Sequence, residues 1–167
     1  EKAFEPSRRA RILLSLDARG FHDAGDGPAF EEALEAAASI AVRLVRSGVS
    51  VGLLTNAVMT GEASPVVPVS QAPEQLPVIL ERMARMNPAP AGDLMDPVGA
   101  LLARTPGAGC LHFVHTMDAS AEAFGACLAD RRTPVSFVAA RRSGDLPAGP
   151  AAGREVVYVE TLRGSGG

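Results

Sequence analysis

Ile12-Leu13-Leu14-Ser15-Leu16-Asp17 and Val49-Ser50-Val51-Gly52-Leu53-Leu54-Thr55-Asn56 are two apolar runs, each closed by polar residues. An alanine-rich amphipathic segment, Phe30 to Arg46, lies between them. Strand, helix and strand in that order make a βαβ unit, whose right-handed crossover renders the strands parallel. In open α/β sheets ligands bind beyond the carboxyl ends of the strands. Asp17, Thr55 and Asn56 stand there, so the chain poses one question: whether these polar ends form a working site.

Working outward, Phe30, Leu34, Ala37, Ala41, Leu44 and Val45 recur at helical spacing. Leu34 and Leu44 are expected to face the sheet. Pro28 suits the first helical turn and Gly48 the stop. The loop 17–27, with three glycines and three aspartates, is read as irregular. Residues 57–64 and Val66 to Val69 read as a hairpin, with Pro68 confining the returning strand to a sheet edge. A second helix spans about Glu74 to Met86, with Leu76, Ile79, Leu80 and Met83 as its apolar face. Residues 87–92 read as a loop, and Asp96-Pro97 as the start of a short helix ending before Pro106. Gly109 to Thr116 is a further strand, and Ser120 caps a helix reaching Arg131. Pro134 to Ala140 is a strand, 143–153 a loop, and Glu155 to Leu162 alternates like an edge strand.

The expected fold is α/β: a doubly wound, mostly parallel sheet with one antiparallel edge strand. The Arg11 to Leu16 strand should lie in its middle, flanked by the strands at Val49 and Gly109.

At 167 residues the chain fits one domain, expected over 1–163, with 164–167 a flexible Gly/Ser tail. No apolar run is long enough to span a membrane. A first residue of Glu1 rather than Met suggests a piece of a longer protein, its carboxyl-terminal part. The net charge is −3 and the arginine pairs at 8/9, 131/132 and 141/142 do not merge into a basic run, which argues against nucleic acid. Cys110 and Cys127 lack CxxC spacing and read as small core residues in a reducing, cytoplasmic compartment.

The chemistry is mostly excluded by what the motifs lack. Neither G-x-x-x-x-G-K-[ST] nor G-x-G-x-x-G follows the first strand, and Asp23 and Asp26 would repel phosphate. No G-x-S-x-G elbow occurs, and neither cysteine has a neighbouring histidine in sequence. His112 and His115 read as satisfied core or rim residues. A haloacid-dehalogenase-like hydrolase is the sharpest enzyme alternative, with Asp17 after the first strand, Thr55 after the second and Asp118 as a further carboxylate. That family resembles the chain only so far: its general acid two residues on is here Arg19, which cannot exchange a proton at ordinary pH.

The von Willebrand factor A fold is similar in element order. Its cation motif, D-x-S-x-S after the first strand, supplies hard oxygen ligands, with a threonine and an aspartate from two later loops. Here the loop reads Asp17-Ala18-Arg19-Gly20-Phe21. The later aspartate would be Asp118, and the middle loop near Gly92-Asp93 has no threonine. No metal or cofactor is therefore expected. Arg19 is expected to serve as an internal cation paired with Asp17 or Asp118, where the ion would have been.

The blocks "ILLSLD", "FEEALEAAASIAVRLVRSGVSVGLLTN" and "LPVILERMARMNP" resemble the bacterial family called domain of unknown function 58, a diverged relative of von Willebrand factor A domains. The resemblance covers about Arg11 to Pro88. It implies longer relatives with membrane helices, which would hold such a domain at the cytoplasmic face of the membrane. It also implies work in complex assembly beside a MoxR-type AAA+ ATPase. The expectation is thus a non-catalytic protein-interaction domain whose surface includes Asp17, Arg19, Asn56, Asp93 and Asp118.

Overall fold

The computed structural model describes residues 9–144 and 155–164. The expected lead-in before residue 9, most of the 143–153 loop and the end of the Gly/Ser tail lie outside these residues. The main sheet holds six strands: β1 (Arg11–Leu16), β2 (Ser50–Thr55), β4 (Val66–Ser70), β6 (Gly109–Val114), β7 (Val135–Ala139) and β8 (Val156–Tyr158). Their order is β4-β2-β1-β6-β7-β8, with every pairing parallel except β4 against β2. β1 is central and flanked as expected, and β4 is the antiparallel edge.

Burial on both faces explains why β1 is so continuously apolar. Leu14 and Leu16 enter one core layer, and Leu13 enters the other. The first layer lies under α2 (Gly27–Arg46) and α3 (Gln75–Ala84). The second lies under α4 (Met95–Ala103) and α5 (Ala119–Asp130).

Gly52 makes the β2–β4 edge workable. A Cβ there would lie 2.8 Å from the Val67 carbonyl oxygen and from Val69. The register shifts at this point, with Val51 opposite Ser70 and Leu53 opposite Val67. Pro68 therefore sits in an edge bulge, where its missing N–H costs no ladder bond.

Several expectations are corrected. The loop 17–27 contains a short helix, α1 (Arg19–Asp23), pinned by buried Phe21, whose ring meets Phe30 edge-on at 5.5 Å. β3 (Ala57–Met59) does not form a hairpin with β4. It pairs with β5 (Met86–Pro90), which takes the last residue of the expected Glu74 to Met86 helix and the start of the expected loop 87–92, as a separate two-stranded sheet. The prolines of β5 are tolerated because only one side of that strand is paired. The Glu155 to Leu162 strand shortens to β8, and α6 (Val159–Gly164) follows it.

The buried stripe of α2 is Ala29, Phe30, Ala33, Ala37 and Ala41, while Leu34 and Leu44 are half-buried at its flanks. Small residues on that stripe leave no room between helix and sheet. Ala37→Leu should therefore destabilise by about 1–3 kcal/mol through overpacking. Leu34→Ala should cost less than the ~2–5 kcal/mol of a fully buried leucine. Urea midpoints of the two variants test this, and a larger loss for Leu34→Ala would reverse the assignment of the stripe.

Candidate functional site

The carboxyl ends of β1 and β2 and the loop after β5 meet beside one another, and polar side chains stitch them together. Buried Thr55 donates its Oγ1 hydrogen to the Leu16 carbonyl at 3.0 Å and accepts from the Ala57 N–H at 3.0 Å. Asn56, 7% exposed, does more. Its Oδ1 accepts the Ala18 N–H at 2.8 Å. Its Nδ2 donates to Asp17 Oδ1 at 2.8 Å and to the Gly92 carbonyl at 3.2 Å. Its own carbonyl accepts from the Ala91 N–H at 2.6 Å. One carboxamide thereby ties three loops, using donors and acceptors that would otherwise be buried unpaired. Gly92 can turn its carbonyl inward because it sits at φ +123°, a left-sided conformation that side chains resist.

Asp17 is half-buried, and its Oδ1 also accepts the Arg19 N–H at 3.0 Å. The Arg19 guanidinium, contrary to expectation, pairs with neither Asp17 nor Asp118; it donates to the Gly92 carbonyl at 3.2 Å. Asp93 Oδ1 accepts the Met95 N–H at 2.9 Å and so holds the start of α4, the part expected of Asp96. Asp118, not Ser120, is the N-cap of α5, its Oδ1 accepting the Ala121 N–H at 2.8 Å.

Asp17, Arg19, Asn56 and Asp93 do come together, around a cleft of about 60 Å³ completed by Leu94, Met95, Ser120 and Phe124. That is room for about two waters and far below the ~300 Å³ or more of a small-molecule site. Asp118 is not among the lining residues. The apolar and Ser120 walls were not foreseen, because their place depends on how α4 and α5 lean over the sheet end. The left-handed glycine at 92 is the one sequence signal that could have pointed to that wall.

The residues fit the cation of von Willebrand factor A domains poorly. The two hydroxyl positions are Arg19 and Phe21, and Phe21 is a core aromatic, 1% exposed. The retained Asp17 oxygen already accepts two hydrogen bonds. Among the described residues no three of His, Cys, Asp and Glu converge as a metal-holding group.

Beneath the cleft, Ser15, Cys110 and His112 form a buried polar cluster. Ser15 Oγ lies 2.6 Å from His112 Nδ1 and 3.4 Å from Cys110 Sγ. The His112 ring stacks on Phe124, centroids 3.8 Å apart, and meets Phe137 edge-on. Burial lowers its pKa to about 4, partly opposed by the Asp17 charge, and burial pushes the Cys110 thiol up to about 12. Both groups are sealed from solvent, with the imidazole neutral and the thiol protonated at ordinary pH, and the ring packs against Phe124 and Phe137. Nearby, Asp26 caps α2 through the Ala29 N–H at 3.1 Å and lies 3.0 Å from His115 Nε2 and 3.2 Å from Arg141 Nε. The His115 hydrogen bond, aided by the Ala29 N–H and Arg141 and opposed by partial burial, holds the Asp26 carboxyl below its usual range.

No protein-family model matches the chain, and no curated protein matches it by sequence. The fold is similar to the crystal structure of an aerotolerance-related membrane protein from Bacteroides fragilis NCTC 9343 with multiple mutations to serines. The TM-score is 0.51 at 13% identity, over 93% of this chain and 96% of that one. The likeness and the sheet order give a von Willebrand factor A-like fold. No helix of the described residues is long and apolar enough to cross a membrane.

Two predictions follow from this geometry. Asn56→Asp removes the donors to Asp17 and Gly92 and sets one carboxylate against another. It should destabilise by about 1–3 kcal/mol at neutral pH, with partial recovery when the carboxylates protonate. Denaturation at pH 7 and pH 4 checks both parts; an unchanged midpoint would mean the clamp contributes nothing. His112 stays neutral in the fold while the unfolded chain's histidine protonates near pH 6.5, so the unfolded state binds the extra proton. Stability should fall as pH drops from about 6.5 to about 4, by on the order of 3 kcal/mol. His112→Gln should flatten that slope, and an identical slope in the variant would assign it to other groups.

Proposed function

We propose that this chain is a non-catalytic protein-interaction domain, whose docking face is the carboxyl end of the sheet around Asp17, Arg19, Asn56, Asp93 and Asp118. The observation that carries the reading is the closed cleft. The polar groups at the functional end of the fold are spent on one another, and about 60 Å³ remains between them. Arg19, Asp93 and Asp118 are exposed above it, so they present charge to a partner rather than chemistry to a substrate. A face of this kind recognises a protein surface by charge and hydrogen bonding.

The domain belongs, on this reading, with the domain of unknown function 58, and its partner is a MoxR-type AAA+ ATPase in complex assembly. Support for the partner comes from the sequence resemblance alone. The hydrolase alternative is not favoured: Asp118 Oδ1 is occupied as a helix cap, and Asp118 does not line the cleft with Asp17.

Biolayer interferometry of the domain against the MoxR-type ATPase of the same cell tests the proposal, with and without ATP. Saturable binding is expected, with at least a tenfold loss in Arg19→Glu or Asp93→Arg. Absence of binding in every nucleotide state, or binding indifferent to both substitutions, would sink it.

A further inference from the structure

Among the described residues the arginines without an ion pair are Arg19 at the carboxyl end, Arg43 on the outer face of α2, and a group of six at the amino end of the sheet. Toward the carboxyl end of the sheet, Arg82, Arg85, Arg141, Arg142 and Arg163 each sit in an ion pair with Glu or Asp. At the amino end, Arg9, Arg11, Arg46, Arg104, Arg131 and Arg132 are all exposed, and among the described residues none makes an ion pair. They come from all three layers: Arg46 ends α2, Arg9 and Arg11 enter β1, Arg104 follows α4, and Arg131 and Arg132 follow α5. Scattered in sequence, they gather in space. Arg11 donates to the Pro106 carbonyl at 3.1 Å, and Pro106-Gly107 is the shared wall of two adjoining cavities of about 330 and 430 Å³. Arg9 and Arg11 flank the first cavity; Arg131 and Arg132 flank the second. Among the described residues, the exposed carboxylates at this end are Glu74, Asp130 and Glu155, fewer than the arginines.

Complementing the helix dipole accounts for Arg46 in the last turn of α2. It does not account for Arg9 and Arg11 at a strand start. Nor does it explain Arg132, which holds φ +56°, a left-handed position after α5 where glycine is the unstrained choice. Arg131 lies across α4 in the space left by Gly99, where a Cβ would come within 2.6 Å of its guanidinium. That guanidinium is placed by packing and left without a carboxylate.

We infer that the amino end of the sheet rests on an anionic lipid surface through these six unpaired guanidinium groups. Guanidinium forks match phosphate oxygens, and near an anionic bilayer each basic residue adds attraction. The charges spread over the end of three layers instead of lining one groove, as a planar surface requires. Among the described residues no exposed aromatic platform of the kind that holds single-stranded nucleic acid stands at this end: the five phenylalanines are buried, and Tyr158 is covered by Arg142 at the other end.

Co-sedimentation of the chain with vesicles of phosphatidylcholine, alone or mixed with phosphatidylglycerol, tests the inference. Binding to the mixed vesicles only, weakened by added salt, is expected. Arg131→Gln with Arg132→Gln should weaken it by about fivefold per arginine. Arg132→Gly relieves the left-handed residue, so it should unfold no earlier than the parent chain and yet bind more weakly. Arg85→Gln, at the opposite end, should bind as the parent does. The inference is overturned by no binding to anionic vesicles, by equal binding to neutral ones, or by equal weakening in Arg85→Gln. Tighter capture by duplex DNA or polyglutamate at the same salt would also overturn it, assigning the face to another polyanion.

Discussion

The Asn56 carboxamide binds three chain segments at once, and the carboxyl end of the sheet is arranged around it. A neutral side chain with two donors and an acceptor holds Ala18 and Asp17 from the first loop and Gly92 from the third. Asp17 Oδ1 is thereby satisfied by two neutral N–H donors instead of by a counter-charge. A half-buried carboxylate without donors would cost desolvation energy, which the two N–H groups offset. Arg19 is then free to lean on the Gly92 carbonyl and to keep its charge at the surface.

From that constraint the rest of the end follows. α1 can form because the chain is held at Ala18 and again at Phe21, which seats between Phe30 and His115. The residue where the D-x-S-x-S cation motif places a hydroxyl is thus a core anchor. Restoring a cation site would require removing Phe21 from the core, and large buried aromatics cost about 3–5 kcal/mol to truncate. The closed cleft and the aromatic anchor are two parts of one packing solution.

Much of the scaffold was legible in the sequence because burial on both faces leaves a plain signal. β1, β2 and β6 are the continuous apolar runs, and all three are interior strands of the sheet. β5 was hidden because Asn87-Pro88-Ala89-Pro90 has the composition of a turn; a strand paired on one side tolerates it. α1 was hidden by the glycines around it, since its order comes from one buried phenylalanine and not from propensity. At the site, Asp17, Arg19, Asn56 and Asp93 line one cleft, because the loops after β1 and β2 meet the loop after β5. The use of Asp118 as a helix cap and the choice of a backbone carbonyl by Arg19 were not legible. Capping is decided by local backbone angles, and a carbonyl acceptor carries no residue signature.

The central claim is that internal hydrogen bonds, and no cation, hold this strand-end loop. Calorimetric titration of Mg²⁺ and Mn²⁺ into the chelator-treated chain tests it most directly, beside Arg19→Ser and Asp17→Ala. The account predicts heats of dilution only for the unmodified chain. Saturable binding by that chain, abolished in Asp17→Ala, would contradict it.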